Sequence, residues 1–265
     1  MYRDVKLWLQ RATECRNPLI LAQAFNYDLN RLALLQACVD LQSRDSKKLL
    51  MEIEDDTDFI GEVQSKLSKY THYSPRAVDF MLFGRSGSVF FNEVTLYVIV
   101  RALKPKIMVE TGGTPGKSTA FILRAMDRNQ CGHLYTIDLP PGNVDNTHLK
   151  PTESYHEFMP SGALSGWVVP QYLRERHTQL IGTSREHLPS LLERLGHVDV
   201  FLHDSDHSYE NMTWEFEVAY SALDKGGLLL SDDVLANDSF SDFCISQGLT
   251  CRHVYNLGAA RSNIC

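Results

Sequence analysis

Two short stretches of this chain concentrate side chains that could do chemistry. In HDSDHSYE (His203–Glu210), Asp204 closes the apolar run VDVFLH, and His207 follows three residues later. In GGLLLSDD (Gly226–Asp233), Asp232 and Asp233 close another apolar run. If the two runs are neighbouring strands, the carboxylates of Asp204, Asp232 and Asp233 meet at one sheet edge. Packed carboxylates repel one another unless something neutralises them. A hard divalent cation with oxygen ligands would do so, and Mg²⁺ keeps waters or substrate oxygens in its shell. Asp206 reads as a helix cap rather than a ligand, and His203, inside the run, as structural.

The second concentration is ETGGTPGKST (Glu110–Thr119). Its right end imitates a phosphate-binding loop, which requires Gly, four residues, then Gly-Lys-Ser/Thr. Five positions before Gly116, however, stands Thr111, and the glycine present, Gly112, is one residue too close. That spacing sets whether successive N–H groups can wrap a phosphate. The left end offers a different loop. Glu110 ends a strand, Gly112 and Gly116 let the backbone turn past a ligand, and Ser118 and Thr119 open a helix. Asp138 ends the next apolar run, HLYTID, where a carboxylate can accept hydrogen bonds from both hydroxyls of a ribose. This layout binds a nucleoside without a phosphate cradle, and Lys117 becomes a solvated residue at a helix start. A P-loop phosphotransferase or NTPase stays as the alternative, with VDVFLHD as its second strand motif.

These residues need elements to carry them. The runs Ile107–Glu110, His133–Asp138, Thr178–Gly182, Val198–Asp204 and Gly226–Asp233 predict five strands. Helical patterns lie between them: Thr119–Met126, SREHLPSLLERLG ending at Gly196, and Met212, Phe216, Ala219, Tyr220 and Leu223. Strands alternating with helices predict an α/β fold, a mostly parallel sheet with helices on both faces. Ligands of such sheets bind at the carboxyl ends of the strands. Val94–Leu103 predicts a buried helix. Upstream, Val5, Trp8, Leu9 and Ala12, then Leu32, Leu35 and Val39, recur at helical spacing. The acidic run Glu52–Ile60 reads as a solvated loop or helix start, and Gly84–Ser88 as a loop. The irregular stretch Leu139–Val169 has the length of a functional loop, with His148, Tyr155, His156 and Trp167 as candidate lining residues. The chain divides into a helical N-terminal extension (1–92) and a main domain (93–265) carrying a cap or lid near 139–169.

Composition bounds the rest. The 265 residues carry a net charge of −7, which argues against a nucleic-acid partner. No apolar run approaches the roughly 20 residues of a membrane span, and MYRDVKLWLQ is too polar for a signal peptide. Cys15, Cys38, Cys131, Cys244, Cys251 and Cys265 form no CxxC pair, which suits free thiols in a reducing cytoplasm.

Taken together, VETGGTPGKST, YTIDLPPG, GWVVPQYLRERHTQLIGTSREHLPSLL and VDVFLHDSDHSYENMTWEFEVAYSALDKGGLLLSDDV resemble class I S-adenosylmethionine-dependent methyltransferases. The nearest group is the bacterial small-molecule branch related to macrocin-type sugar O-methyltransferases and cephalosporin-hydroxylase-like proteins. The resemblance runs from about Lys106 to Val234. It implies a Rossmann-like sheet of seven strands, one of them antiparallel, with the tail CRHVYNLGAARSNIC supplying the final hairpin. It also implies cofactor contacts along Glu110, Thr111, Gly112, Gly113, Gly116, Ser118 and Thr119. Asp138 would hold the ribose, Thr183 and Ser184 would border the adenine, and Asp204 would close the site. Many relatives carry an acid where Thr183 stands. Metal-dependent O-methyltransferases of the catechol type place one acid after the fourth strand and a pair after the fifth, so the resemblance implies Asp204, Asp232 and Asp233 as Mg²⁺ ligands and His207 as the base that deprotonates the acceptor. The expected activity is Mg²⁺-assisted O-methylation of a small hydroxylated molecule. The N-terminal helices would complete the pocket or form a homo-oligomer contact. A relative that binds the cofactor without turnover is the remaining alternative.

Overall fold

In the computed structural model, residues 18–67, 91–140 and 163–263 are described. Three helices come first: α1 (Pro18–Val39), α2 (Ser43–Glu54) and α3 (Thr57–Leu67). Helix α4 (Phe91–Leu103) leads into the alternating part: β1 (Ile107–Thr111), α5 (Lys117–Asn129), β2 (His133–Asp138), a 3₁₀ turn (Gln171–Arg176), β3 (His177–Ile181), α6 (Ser184–Leu195), β4 (Val198–His203), α7 (Tyr209–Tyr220) and β5 (Leu223–Ser231). Helix α8 (Ser239–Ser246), which the sequence pattern did not predict, precedes the closing hairpin β6 (Cys251–Val254) and β7 (Leu257–Arg261). The periodicity at Val5–Ala12, the Gly84–Ser88 loop and most of the 139–169 cap, including His148, Tyr155 and His156, lie outside the described residues.

The seven strands order as β3-β2-β1-β4-β5-β7-β6. The first five pair in parallel, and β7 runs antiparallel between β5 and β6. The predicted seven-stranded, mostly parallel sheet with one antiparallel strand is present. Its central strands are apolar on both sides because helices cover both faces. Met108, Val200, Leu202, Leu228 and Leu230 pack under α4, α5 and the N-terminal helices. Their alternates Val109, Phe201 and Leu229 pack under α6, α7 and α8.

The N-terminal helices share the first of these cores, through Leu34, Leu35, Ile53, Phe59 and Val63. Polar ties reinforce the join. Glu52 accepts from Arg101 at 2.6 Å, and Asp56 pairs with Arg124 at 2.7 Å. The acidic run Glu52–Ile60 is therefore not a solvated loop. It holds the end of α2, a tight turn and the start of α3, and Asp56 is only 7% exposed between Arg124 and Arg128. The expected helix start is there, at Thr57, but the solvated loop is not, because the arginines that neutralise Asp56 lie about seventy positions downstream. Among the described residues, no helix is long and apolar enough to cross a membrane.

Removing Arg124 leaves the shielded Asp56 carboxylate with only the more exposed Arg128 as a partner. Arg124→Ala should therefore cost about 3 kcal/mol of unfolding free energy, measured by urea denaturation. A change within the error of the fit would mean that the α3–α5 junction does not depend on this pair.

Candidate functional site

The strand registers bring the acids together. Thr111 pairs with both Ile137 and His203, and His203 pairs with Ser231. Gly112, Asp138, Asp204 and Asp232 each follow one of these paired residues, at the carboxyl edge of the sheet. Backbone bonds extend the alignment past the strands: Gly112 N–H donates to Ile137 O at 2.8 Å, Asp204 N–H to Thr111 O at 2.9 Å, and Asp232 N–H to His203 O at 2.8 Å. Gly112 is required here by close approach. Its φ is +78°, and a Cβ would fall 1.9 Å from the carbonyl oxygen of Asp204.

Above that contact the loop turns toward α5. Glu110 is fully buried and accepts hydrogen bonds from Ser118 Oγ and from Thr119 Oγ1 (2.7 Å), so its carboxylate fastens the start of α5. Burial pushes the Glu110 carboxyl up to about 7, against the pull of those two hydroxyls. A Cβ on Gly113 would stand 3.6 Å from Glu110 Oε2 and 3.9 Å from Asp138 Oδ2. The missing side chain thus leaves the loop backbone close to both acids. Lys117 is not solvated. Its Nζ pairs with Glu93 of α4 at 2.6 Å. Thr111 turns to the opposite face of β1 and donates to Glu215 at 2.6 Å.

Asp138 ends β2 as predicted and is 4% exposed. Its Oδ1 accepts from Leu139 N–H at 2.8 Å. Its Oδ2 accepts from Thr114 Oγ1 at 2.5 Å and from Ser165 Oγ. Burial raises its pKa while these donors oppose the rise.

On the other side of β1, Asp204 and Asp232 end neighbouring strands. Asp204 keeps a quarter of its side chain open. Burial, then the negative charges of Asp232, Glu110 and Asp233, push its carboxyl well above the usual range, and Lys117 pulls it down. Asp232 is raised to about 7 by burial and by Asp233 and Glu93. His207 stands between the outer acids, with Nε2 3.8 Å from Asp204 and Nδ1 3.7 Å from Asp233. Two asparagines unforeseen in the sequence hold the acid pair. Asn92 Nδ2 donates to Asp232 Oδ1 (2.8 Å) and to Asn256 Oδ1 (2.7 Å), and Asn256 Nδ2 donates to Asp233 Oδ1. Asp233 needs such a hold, since its φ of +49° lies in the left-handed region. Among the described residues, no group of three or more His, Cys, Asp or Glu is arranged to hold a metal ion. The oxygen donors suit a hard cation, but His207 lies between two of them.

Beneath the site, His203 is buried as expected. It pairs through Nδ1 with Glu215 at 2.7 Å, and Ser205 and Asn211 also donate to Glu215. Despite the opposing effect of burial, His203 and the surrounding donors hold the Glu215 carboxyl down at about 2. Asp206 does not cap α7. Ser208 does, and Asp206 accepts from the backbone and hydroxyl of Ser208. At the end of β3, Thr183 caps α6 in a reciprocal box with Glu186, so its hydroxyl already has a structural use. Ser184 adds to the bonding of Glu215.

Residues 109–234, a little under half of the chain, match the family model described as a methyltransferase domain. This stretch is similar to a methyltransferase domain. It contains the glycine loop, Asp138, Asp204, His207 and the acid pair, while Asn92 and Asn256 lie outside it. Among curated proteins, none matches the chain. Solved structures similar to it include SAH-bound methyltransferase PaMTH1 from Podospora anserina (12% identity, 77% of this chain, 87% of that one, TM-score 0.49). The O-methyltransferase TomG from Streptomyces achromogenes, in complex with SAM, is 15% identical over 65% of this chain and 80% of its own (TM-score 0.47). An O-methyltransferase from Bacillus cereus, in complex with SAH, is 11% identical over 87% and 96% (TM-score 0.44).

The matched stretch carries a measurable electrostatic cost. The folded protein keeps the proton of Glu110 up to about pH 7, whereas the unfolded chain releases it near 4.5. Ionising Glu110 therefore removes stability as pH rises through that window, and the loss is complete above it. Glu110→Gln lacks this penalty. Its thermal midpoint should exceed that of the wild type above about pH 7, and the gap should close below 4.5. A gap independent of pH would show that folding does not shift the Glu110 carboxyl.

Proposed function

We propose that this protein is an S-adenosylmethionine-dependent methyltransferase, and specifically an O-methyltransferase of a small hydroxylated molecule. One observation carries this reading. The glycine loop is surrounded by acids: Asp138 lies beside it, Glu110 is buried beneath it, and Gly112 packs on the backbone of Asp204. Such a lining attracts a sulfonium cation and an adenosyl diol, and it repels a triphosphate. The phosphate reading also needs Lys117, which is committed to Glu93.

In this reading Asp138 accepts the ribose hydroxyls, and the loop from Gly112 to Gly116 runs along the methionine half. The cofactor, when bound, supplies an activated methyl group. The protein then has to orient the acceptor in line and take its proton. His207 is placed to do the latter. Asp204 and Asp233 lie within 4 Å of its two ring nitrogens, so a proton accepted on the ring is held between two carboxylates. Mg²⁺ belongs to the proposal through donor chemistry alone, since Asp204, Asp232 and Asp233 offer hard oxygen ligands, and a bound cation would relieve their repulsion and acidify an acceptor hydroxyl.

A ligand that binds only the native state raises its stability. S-adenosylhomocysteine should therefore raise the thermal midpoint of the wild type, ATP should not, and Asp138→Ala should lose the response. A shift with ATP alone would reverse the assignment. Turnover, followed as S-adenosylhomocysteine release with a panel of phenols and sugars, should fall by about a hundredfold or more in His207→Ala, with cofactor affinity unchanged. EDTA should suppress the same signal and Mg²⁺ restore it. Full activity in His207→Ala would remove its role as base, and indifference to EDTA would remove the cation.

A further inference from the structure

Ser165 occupies a place at Asp138 that sequence reasoning did not assign. Its hydroxyl and that of Thr114 both donate to Asp138 Oδ2, and the two oxygens lie 2.8 Å apart. Two neighbouring hydroxyls facing one carboxylate reproduce what a ribose diol would present. Asp138 is nearly fully buried in this arrangement, and Ser165 itself is 2% exposed. A ribose cannot reach the carboxylate unless a protein hydroxyl gives way.

The two donors differ in what holds them. Thr114 belongs to the loop between β1 and α5, whose ends are fixed by the strand and the helix. Ser165 stands just before a stretch of chain that is docked on the protein. Val168 N–H donates to Pro115 O at 3.3 Å, Lys66 donates to Val168 O at 3.2 Å, and Arg174 donates to Gly166 O at 2.8 Å. Val168 and Val169 are buried, whereas Leu164, just before Ser165, is 70% exposed. Between them lies Gly166, with φ +70°, a conformation that glycine adopts without strain. Gly166 also rests on the loop itself, because a Cβ on Gly116 would come within 2.7 Å of it. The backbone can therefore pivot at Gly166 while the chain after it stays docked.

We propose that Ser165 is a resident substitute for a ribose hydroxyl, displaced from Asp138 when an adenosyl ligand binds. Cofactor binding and release of Ser165 from the glycine loop are then one event. The substitution keeps Asp138 satisfied without ligand, and it lowers apparent affinity, since only the fraction with Ser165 swung away is competent to bind. This inference rests on the methyltransferase reading.

Calorimetric titration with S-adenosylhomocysteine tests it. Ser165→Ala should bind roughly tenfold more tightly than the wild type, the worth of one hydrogen bond to a carboxylate. Without ligand, the variant should unfold at a lower temperature. Equal or weaker binding by Ser165→Ala would overturn the inference and leave the cofactor assignment standing. Absence of binding by the wild type would overturn both. Hydrogen exchange on the wild type gives an answer that needs no variant: S-adenosylhomocysteine should speed exchange at Ser165 and Gly166, and slowing there would contradict displacement.

Discussion

Parallel pairing of β1 with β2 and β4, and of β4 with β5, forces Asp138, Asp204 and Asp232 onto one edge, with Glu110 just inside it. Their charges then have to be accommodated. Most of the surrounding polar structure serves that need. Ser118 and Thr119 donate to Glu110, Thr114 and Ser165 to Asp138, and Asn92 and Asn256 to the pair after β5. Lys117 reaches the same region from the first turn of α5, held by Glu93. These bonds offset the repulsion without removing it, because burial and mutual charge still leave Glu110 and Asp232 near 7. The residual cost is what a cationic ligand would recover.

The strands that carry the site were legible because each is an apolar run ending in an acid or a glycine, and a parallel sheet buried on both faces needs such runs. The alternation of strands and helices then fixed which ends point the same way, so Glu110, Asp138, Asp204 and the Asp232–Asp233 pair could be named as neighbours. What stayed hidden were partners set by tertiary packing. Nothing near Lys117 in sequence announces Glu93, nothing near Asp56 announces Arg124, and nothing near Asp138 announces Ser165. The resemblance implied Thr111 as a cofactor contact. The period of two in a strand sends its side chain to the opposite face instead, onto Glu215. A strict count along β1 would have found this, since Glu110 and Thr111 cannot both face the loop.

Both flanks of the matched stretch, 109–234, take part in the site. Asn92 opens α4, which packs against the N-terminal helices, and Asn256 lies in the turn between β6 and β7. One side-chain amide from each flank converges on the acid pair. The N-terminal helices also supply Lys66, which holds the segment carrying Ser165 through Val168. The geometry of the carboxyl edge thus depends on chain well outside the stretch that the family model recognises.

The central claim is that the acidic edge is built for a cation. Calorimetric titration of S-adenosylmethionine near pH 7, in two buffers of different ionisation enthalpy, tests it most directly. A sulfonium entering between acids whose pKa values lie near 7 lowers those values, so binding should release protons to the buffer. Net proton release, absent when the uncharged thioether of S-adenosylhomocysteine is titrated, is the result expected. Binding of S-adenosylmethionine with no proton release, or with proton uptake, would contradict it.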